Sequence, residues 1–107
     1  MFEGEGVDEY IQLVAVAGEL DMSNSAELRR HVETSVRGGR NCVVIDLSDV
    51  THMDSSGLAA LIAAHQLTQA RRGRLALVVG SEPVRRTMEV RGVDRLFTIV
   101  GSREEAL

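Results

Sequence analysis

The sequence predicts a small α/β domain in which a mostly parallel sheet of four to five strands is covered by three to four helices. Three observations lead there. Apolar runs rich in β-branched residues alternate along the chain with segments whose apolar residues recur at helical spacing. Glycines or clusters of capping residues mark the junctions between the two kinds of segment. Each helical segment also lies between two strand-like runs, an order that favours parallel neighbours joined by crossovers. With 107 residues and 44% hydrophobic content the chain can build one core, so a single domain over 1–107 is expected.

Phe2 to Val7 is read as a short partner strand, and Tyr10 to Ala17 as a longer one that stops at Gly18 and leaves toward a loop. Ser23-Asn24-Ser25 is a cluster of capping residues, after which Ala26, Leu28, Val32 and Val36 follow helical spacing until Gly38-Gly39. Cys42 to Leu47 is apolar up to Asp46, as expected of a central strand covered on both faces, and Cys42 reads as a small buried hydrophobe. Asp46 is read as the end of that strand. A second helix starts near Ser56, with Leu58, Leu61, Ile62 and His65 at i, i+3, i+4 and i+7, and runs out at Arg71-Arg72-Gly73, where arginines suit the negative helix end. Leu75 to Val79 is another buried strand. Ser81-Glu82-Pro83 then caps and opens a third helix that carries Val84, Met88 and Val90 inward. Phe97 to Val100 is a short last strand, and Ser102 to Leu107 a helical turn or a frayed tail.

Composition removes several function classes. Phe2, Tyr10 and Phe97 are the only aromatic residues, so there is no platform for stacking bases, and a net charge of -4 argues further against nucleic-acid binding. All 12 basic residues are arginine, read first as codon bias in a GC-rich genome. The lone Cys42 cannot form an internal disulfide, which fits a reducing cytoplasm. The N-terminus is acidic where a signal peptide is basic, and no apolar run approaches the roughly 20 residues that span a bilayer. Direct membrane binding is therefore not expected. No Cys or His spacing suggests a metal, and no phosphate-cradling loop suggests a nucleotide cofactor, so none of either is expected.

The richest stretch is Thr51-His52-Met53-Asp54-Ser55-Ser56-Gly57-Leu58, which places two hydroxyls and a glycine where a strand exit becomes a helix start. The first amides of a helix lack intrahelical partners and its dipole favours negative charge, so a phosphate on Ser55 or Ser56 would be tolerated there. A plain cap by Asp54 or Ser55 is the alternative. Functional loops of open α/β sheets collect beyond the carboxyl ends of parallel strands. Gly18-Glu19-Leu20-Asp21 and Asp49 to Ser55 are expected to be two such loops, with Asp21 and Ser55 on one rim.

Gly18-Glu19-Leu20-Asp21, the aliphatic strand ending in Asp46-Leu47-Ser48, and Met53-Asp54-Ser55-Ser56-Gly57-Leu58 together resemble the STAS domain of bacterial anti-sigma-factor antagonists. The resemblance extends over nearly the whole chain in element order and length. It implies that Ser55, the first serine of the Asp-Ser-Ser-Gly stretch, is phosphorylated by the anti-sigma factor, an ATP-dependent serine kinase. It implies that the unphosphorylated antagonist binds that kinase and frees the sigma factor, and that a PP2C-type phosphatase resets the cycle. Asp21 is assigned by the same resemblance to the surface that meets the kinase and its nucleotide, and Glu19, Asp54, Ser56, Gly57 and Leu58 are expected beside it as partner-binding residues.

Two rival readings are weighed against this one. Ser55 as a catalytic nucleophile needs a base within about 3 Å. His65 lies ten residues along the same helix, roughly 15 Å away at 1.5 Å per residue, His31 is inside the first helix, and His52 lacks an orienting partner. The protein is therefore not expected to be an enzyme. The other rival keeps the fold and makes the chain a regulatory subunit of an anion or lipid transporter, without phosphorylation. The intact Asp54-Ser55-Ser56-Gly57 and the free-standing length speak against it.

Overall fold

The computed structural model describes residues 2–107. Five strands form one sheet in chain order: β1 (Phe2–Gly6), β2 (Ile11–Leu20), β3 (Cys42–Met53), β4 (Arg74–Val78) and β5 (Thr98–Val100). β1 runs antiparallel to β2, and all other neighbours are parallel. The crossovers are α1 (Ser25–Arg37), α2 (Ser55–Ala70) and α3 (Glu82–Val90), and α4 (Arg103–Ala106) closes the chain. The expected small α/β domain with a mostly parallel sheet is what the chain forms.

The two faces of the sheet are covered unequally. Val14 and Val16 of β2, Val43, Ile45 and Leu47 of β3, and Leu75 and Leu77 of β4 join Leu28 and Val32 of α1, Leu61 and Ala64 of α2, and Val84 and Met88 of α3 in one buried cluster. Alternation along each strand sends Leu13, Val44 and Val78 to the other face, where they meet Ala106 of α4. That face also holds Asp46, inside β3 opposite Ala15 and Val78, with only 6% of its surface exposed.

Asp46 therefore does not end its strand. A buried carboxylate is tolerated because its oxygens are used: one accepts from the Ser48 amide at 2.9 Å and from the Ser48 hydroxyl, the other from Nε of Arg103. Burial pushes this carboxyl up, but the Ser48 hydroxyl, the Arg103 guanidinium and the Ser48 amide together hold it below the ordinary carboxylate range. The same ion pair ties α4 to the central strand, so Ser102 to Leu107 is a docked helical turn.

Other expectations change in detail. Both β2 and β3 run past their predicted ends. Ala17, Gly18, Glu19 and Leu20 pair with Asp49, Val50, His52 and Met53, with register shifts after Ala15 and after Gly18. Gly18 supplies the positive φ of 86° that the second shift uses. Val90 points outward, 78% exposed, because it lies two residues past inward-facing Met88, about 200° around the helix. Cys42 is half-buried. α2 ends at Ala70, so Arg71 and Arg72 follow its last turn, with Arg72 at a φ of 57°.

Candidate functional site

Leu20 is opposite Met53 in the parallel register, so the residues that follow them, Asp21 and Asp54, leave neighbouring strands side by side. The Asp54 amide donates to the Leu20 carbonyl at 3.2 Å and fastens the two exits together. Leu20 is fully buried and Met53 nearly so, which anchors both turns in the core.

Asp54 is the N-cap of α2. Its Oδ1 accepts from the amides of Ser56 at 2.8 Å and Gly57 at 3.1 Å, two of the donors that a helix start leaves without partners. The anion at this helix start is thus Asp54 itself, the cap that the sequence offered as the alternative to an anion site. A phosphate on Ser55 would arrive beside a carboxylate that already holds those amides.

Ser55 is the first residue of α2, exposed, and its hydroxyl makes no hydrogen bond among the described residues. Ser56 is half-buried. Gly57 and Leu58 lie in the core. A Cβ on Gly57 would sit 2.6 Å from the Leu20 carbonyl oxygen, 2.8 Å from Leu20 Cγ and 2.9 Å from Met53 Cγ. Glycine here lets the helix start press against the ends of β2 and β3. Both residues support the rim from beneath, while Ser55 and Asp54 form its surface.

The β2–α1 turn is locked by its own side chains. Asp21 Oδ1 accepts from the Ser23 amide at 2.9 Å and hydroxyl at 2.6 Å. Those two bonds, the hydroxyl first, lower the Asp21 pKa. Asn24 reaches backward, its Oδ1 accepting from the Asp21 amide at 2.9 Å and its Nδ2 donating to the Glu19 carbonyl at 2.7 Å. Asn24 occupies the N-cap position of α1 without bonding the helix amides. It is a turn lock, a role that reading it as a cap missed. Its signal was the Asp21 to Asn24 spacing, which suits side-chain bonds to nearby backbone. The Glu19 side chain is exposed on the β2 edge of this rim.

Two of the three histidines pack against phenylalanine rings. The His31 ring lies 5.7 Å from that of Phe2, and the His65 ring meets Phe97 edge to face at 5.9 Å. Among the described residues, no group of three or more His, Cys, Asp or Glu is placed to hold a metal ion, and no helix is long and apolar enough to cross a membrane.

A mostly parallel sheet with a turn-locked, serine-bearing rim at the carboxyl ends of its central strands defines a class of small α/β domain. The STAS domain model matches residues 6–106, and the chain belongs to that family. An anti-sigma F factor antagonist of Paenibacillus polymyxa is 27% identical over 99 residues, covering 91% of this chain and 84% of the relative. The crystal structure of an anti-sigma factor antagonist from Mycobacterium paratuberculosis is 27% identical, with a TM-score of 0.87 over 99% of this chain and 89% of that one. A sulfate transporter family protein from Wolinella succinogenes has the same fold at 15% identity, with a TM-score of 0.81 over 96% of this chain and 86% of that one. Both of the antagonist relatives are named as anti-sigma factor antagonists.

Proposed function

We propose that this protein is an anti-sigma-factor antagonist that works by phosphorylation-controlled partner switching, with Ser55 as the phosphoacceptor. One observation carries the assignment of Ser55. Its hydroxyl is exposed at the head of α2 and unused by the fold, while Asp54 and Gly57 hold the backbone around it. The antagonist names of relatives aligned over most of the chain support the role itself.

Unphosphorylated, the rim docks the anti-sigma serine kinase and the sigma factor is released. Glu19, Asp21, Asp54 and Ser56 flank the acceptor in that complex, and Gly57 and Leu58 fix its position. A phosphate adds about -1.5 to -2 charge next to Asp54, whose capping bonds leave the new charge without the amides of Ser56 and Gly57. The penalty falls on the docked partner. Moving an equilibrium from about 1:99 to 99:1 requires roughly 5.5 kcal/mol of differential affinity, a size that burying an uncompensated phosphate reaches. A PP2C-type phosphatase restores the binding form, and the cycle takes place in the cytoplasm, without a cofactor of the antagonist's own.

The test is to incubate the protein with its anti-sigma kinase and ATP and to locate the phosphate by mass spectrometry after proteolysis. Phosphate on Ser55 is expected, and phosphate only on Ser56 or elsewhere would overturn the assignment. Ser55→Ala is expected to stay bound to the kinase after ATP is added, and Ser55→Asp to bind poorly in calorimetry. The transporter-subunit reading shares a fold with the Wolinella protein, a likeness that assigns no role to any residue here. Stable recovery with a membrane transporter would favour it.

A further inference from the structure

We infer that the groove between α1 and β1 holds a second binding site, distinct from Ser55, for a small phosphate ester. An open surface groove of about 600 Å³ follows α1 from Glu27 in its first turn to Gly38 at its end, with Gly4 of β1 and Gln12 of β2 on its other side. The volume is that of an ordinary small-ligand site and well beyond one inorganic phosphate.

The cavity is cationic in a chain whose net charge is -4. Arg30 and Arg40 line it, with Glu27 the carboxylate that opposes them. Arg30 makes no ion pair or hydrogen bond among the described residues. Arg40 is positioned: its Nε donates to the Asp8 carbonyl at 2.8 Å, and its terminal nitrogens carry no other bond among the described residues. Two guanidiniums, one from α1 and one from the α1–β3 connection, match a doubly charged phosphate better than a single carboxylate.

The floor is cleared by glycine. Gly4 and Gly6 lie two apart on β1, so both face the same side of the sheet. A Cβ on Gly6 would come within 2.8 Å of the Arg40 guanidinium carbon, and one on Gly4 within 3.2 Å of Gln12 Nε2 and 3.5 Å of His31 Nδ1. A side chain on Gly6 would displace the Arg40 guanidinium and one on Gly4 would crowd the Gln12 amide, whereas His31 would stay in ordinary contact. His31, steadied by the Phe2 ring, presents a flat surface for the organic part of a ligand, with Gln12 and Thr34 as hydrogen-bonding groups.

The test is an amide NMR titration of the whole chain with inorganic phosphate and with phenyl phosphate. Saturable shifts at Gly4, His31 and Gly38 are expected, with phenyl phosphate binding about tenfold more tightly than phosphate. Arg30→Gln, which touches nothing the fold uses, is expected to weaken both ligands about tenfold, and His31→Asn to remove the phenyl advantage alone. Arg86→Gln on exposed α3 is the control and should change neither. Absence of saturable shifts, shifts confined to Ser55–Leu58, or unchanged binding in Arg30→Gln would overturn the site. None of these results bears on phosphorylation of Ser55.

Discussion

Both turns of the rim begin with an aspartate that follows a buried strand end, yet they use it differently. In the β2–α1 turn Asp21 bonds to Ser23, two residues on, and Asn24 bonds back to Asp21 and Glu19, so the side chains are consumed in folding the turn itself. In the β3–α2 turn Asp54 bonds forward to the helix amides and Gly57 removes the side chain that would hold the helix away. That second solution leaves the Ser55 hydroxyl exposed and without a hydrogen bond among the described residues, while the Ser56 hydroxyl, equally unbonded, is half-buried. A residue that the fold does not need is one that can be modified without unfolding the domain. The difference between the turns thus separates stability from switching.

Substitutions can break that separation, and the largest effect should come from Gly57. Gly57→Ala is expected to cost about 1–3 kcal/mol through the clash with the Leu20 carbonyl, despite a helix-propensity gain near 1 kcal/mol. Chemical denaturation reads this directly, and wild-type stability would mean that α2 can lift off the strand ends at no cost. Asp54→Ala should cost about 1 kcal/mol as a lost cap, with the loss shown by faster amide exchange at Ser56 and Gly57. Asn24→Ala loses one part-buried and one exposed hydrogen bond and is expected to cost about 0.5–1 kcal/mol, with faster exchange of the Asp21 amide and none of the α2 amides. Ser55→Ala should change stability by less than about 0.5 kcal/mol while abolishing kinase-driven release. Were it as damaging as Asp54→Ala, the hydroxyl would have a structural role and the separation would fail.

The two turns also predict a pH dependence for the first of them. Asp21 titrates below its ordinary value because the Ser23 hydroxyl and amide favour its ionised form. A depressed folded pKa means the stabilisation is present above the ordinary aspartate pKa of about 3.9 and is lost as pH falls through the folded value. The turn should hold unchanged through neutral and mildly acid pH and loosen only in stronger acid. Carboxyl chemical shifts of Asp21 followed together with the Ser23 amide test this, and titration at or above the ordinary value would contradict the observed bonds.

Much of the site was legible in the residues because its signals are local. A capping carboxylate, a hydroxyl and a glycine within four positions can be read as a helix start, and Asp54, Ser55 and Gly57 sit there. The extra length of β2 and β3 was not legible. Ser48, Asp49, Thr51 and His52 are polar and exposed, so they carry loop composition, and only pairing with Ala17 to Leu20 keeps them extended. Asp46 misled for a related reason: its cation is Arg103, 57 residues along the chain, and no window of sequence contains both.

By itself, then, the sequence determined the order of strands and helices, their aliphatic faces and the two motifs of the rim, since each follows from periodicity or spacing between near neighbours. Tertiary structure alone decided how far the central strands run, which of the two sheet faces three helices share, and what neutralises Asp46. These depend on hydrogen bonds and charges brought together across the fold, where the stability of a polar group is set by the partner it finds and not by its place in the chain.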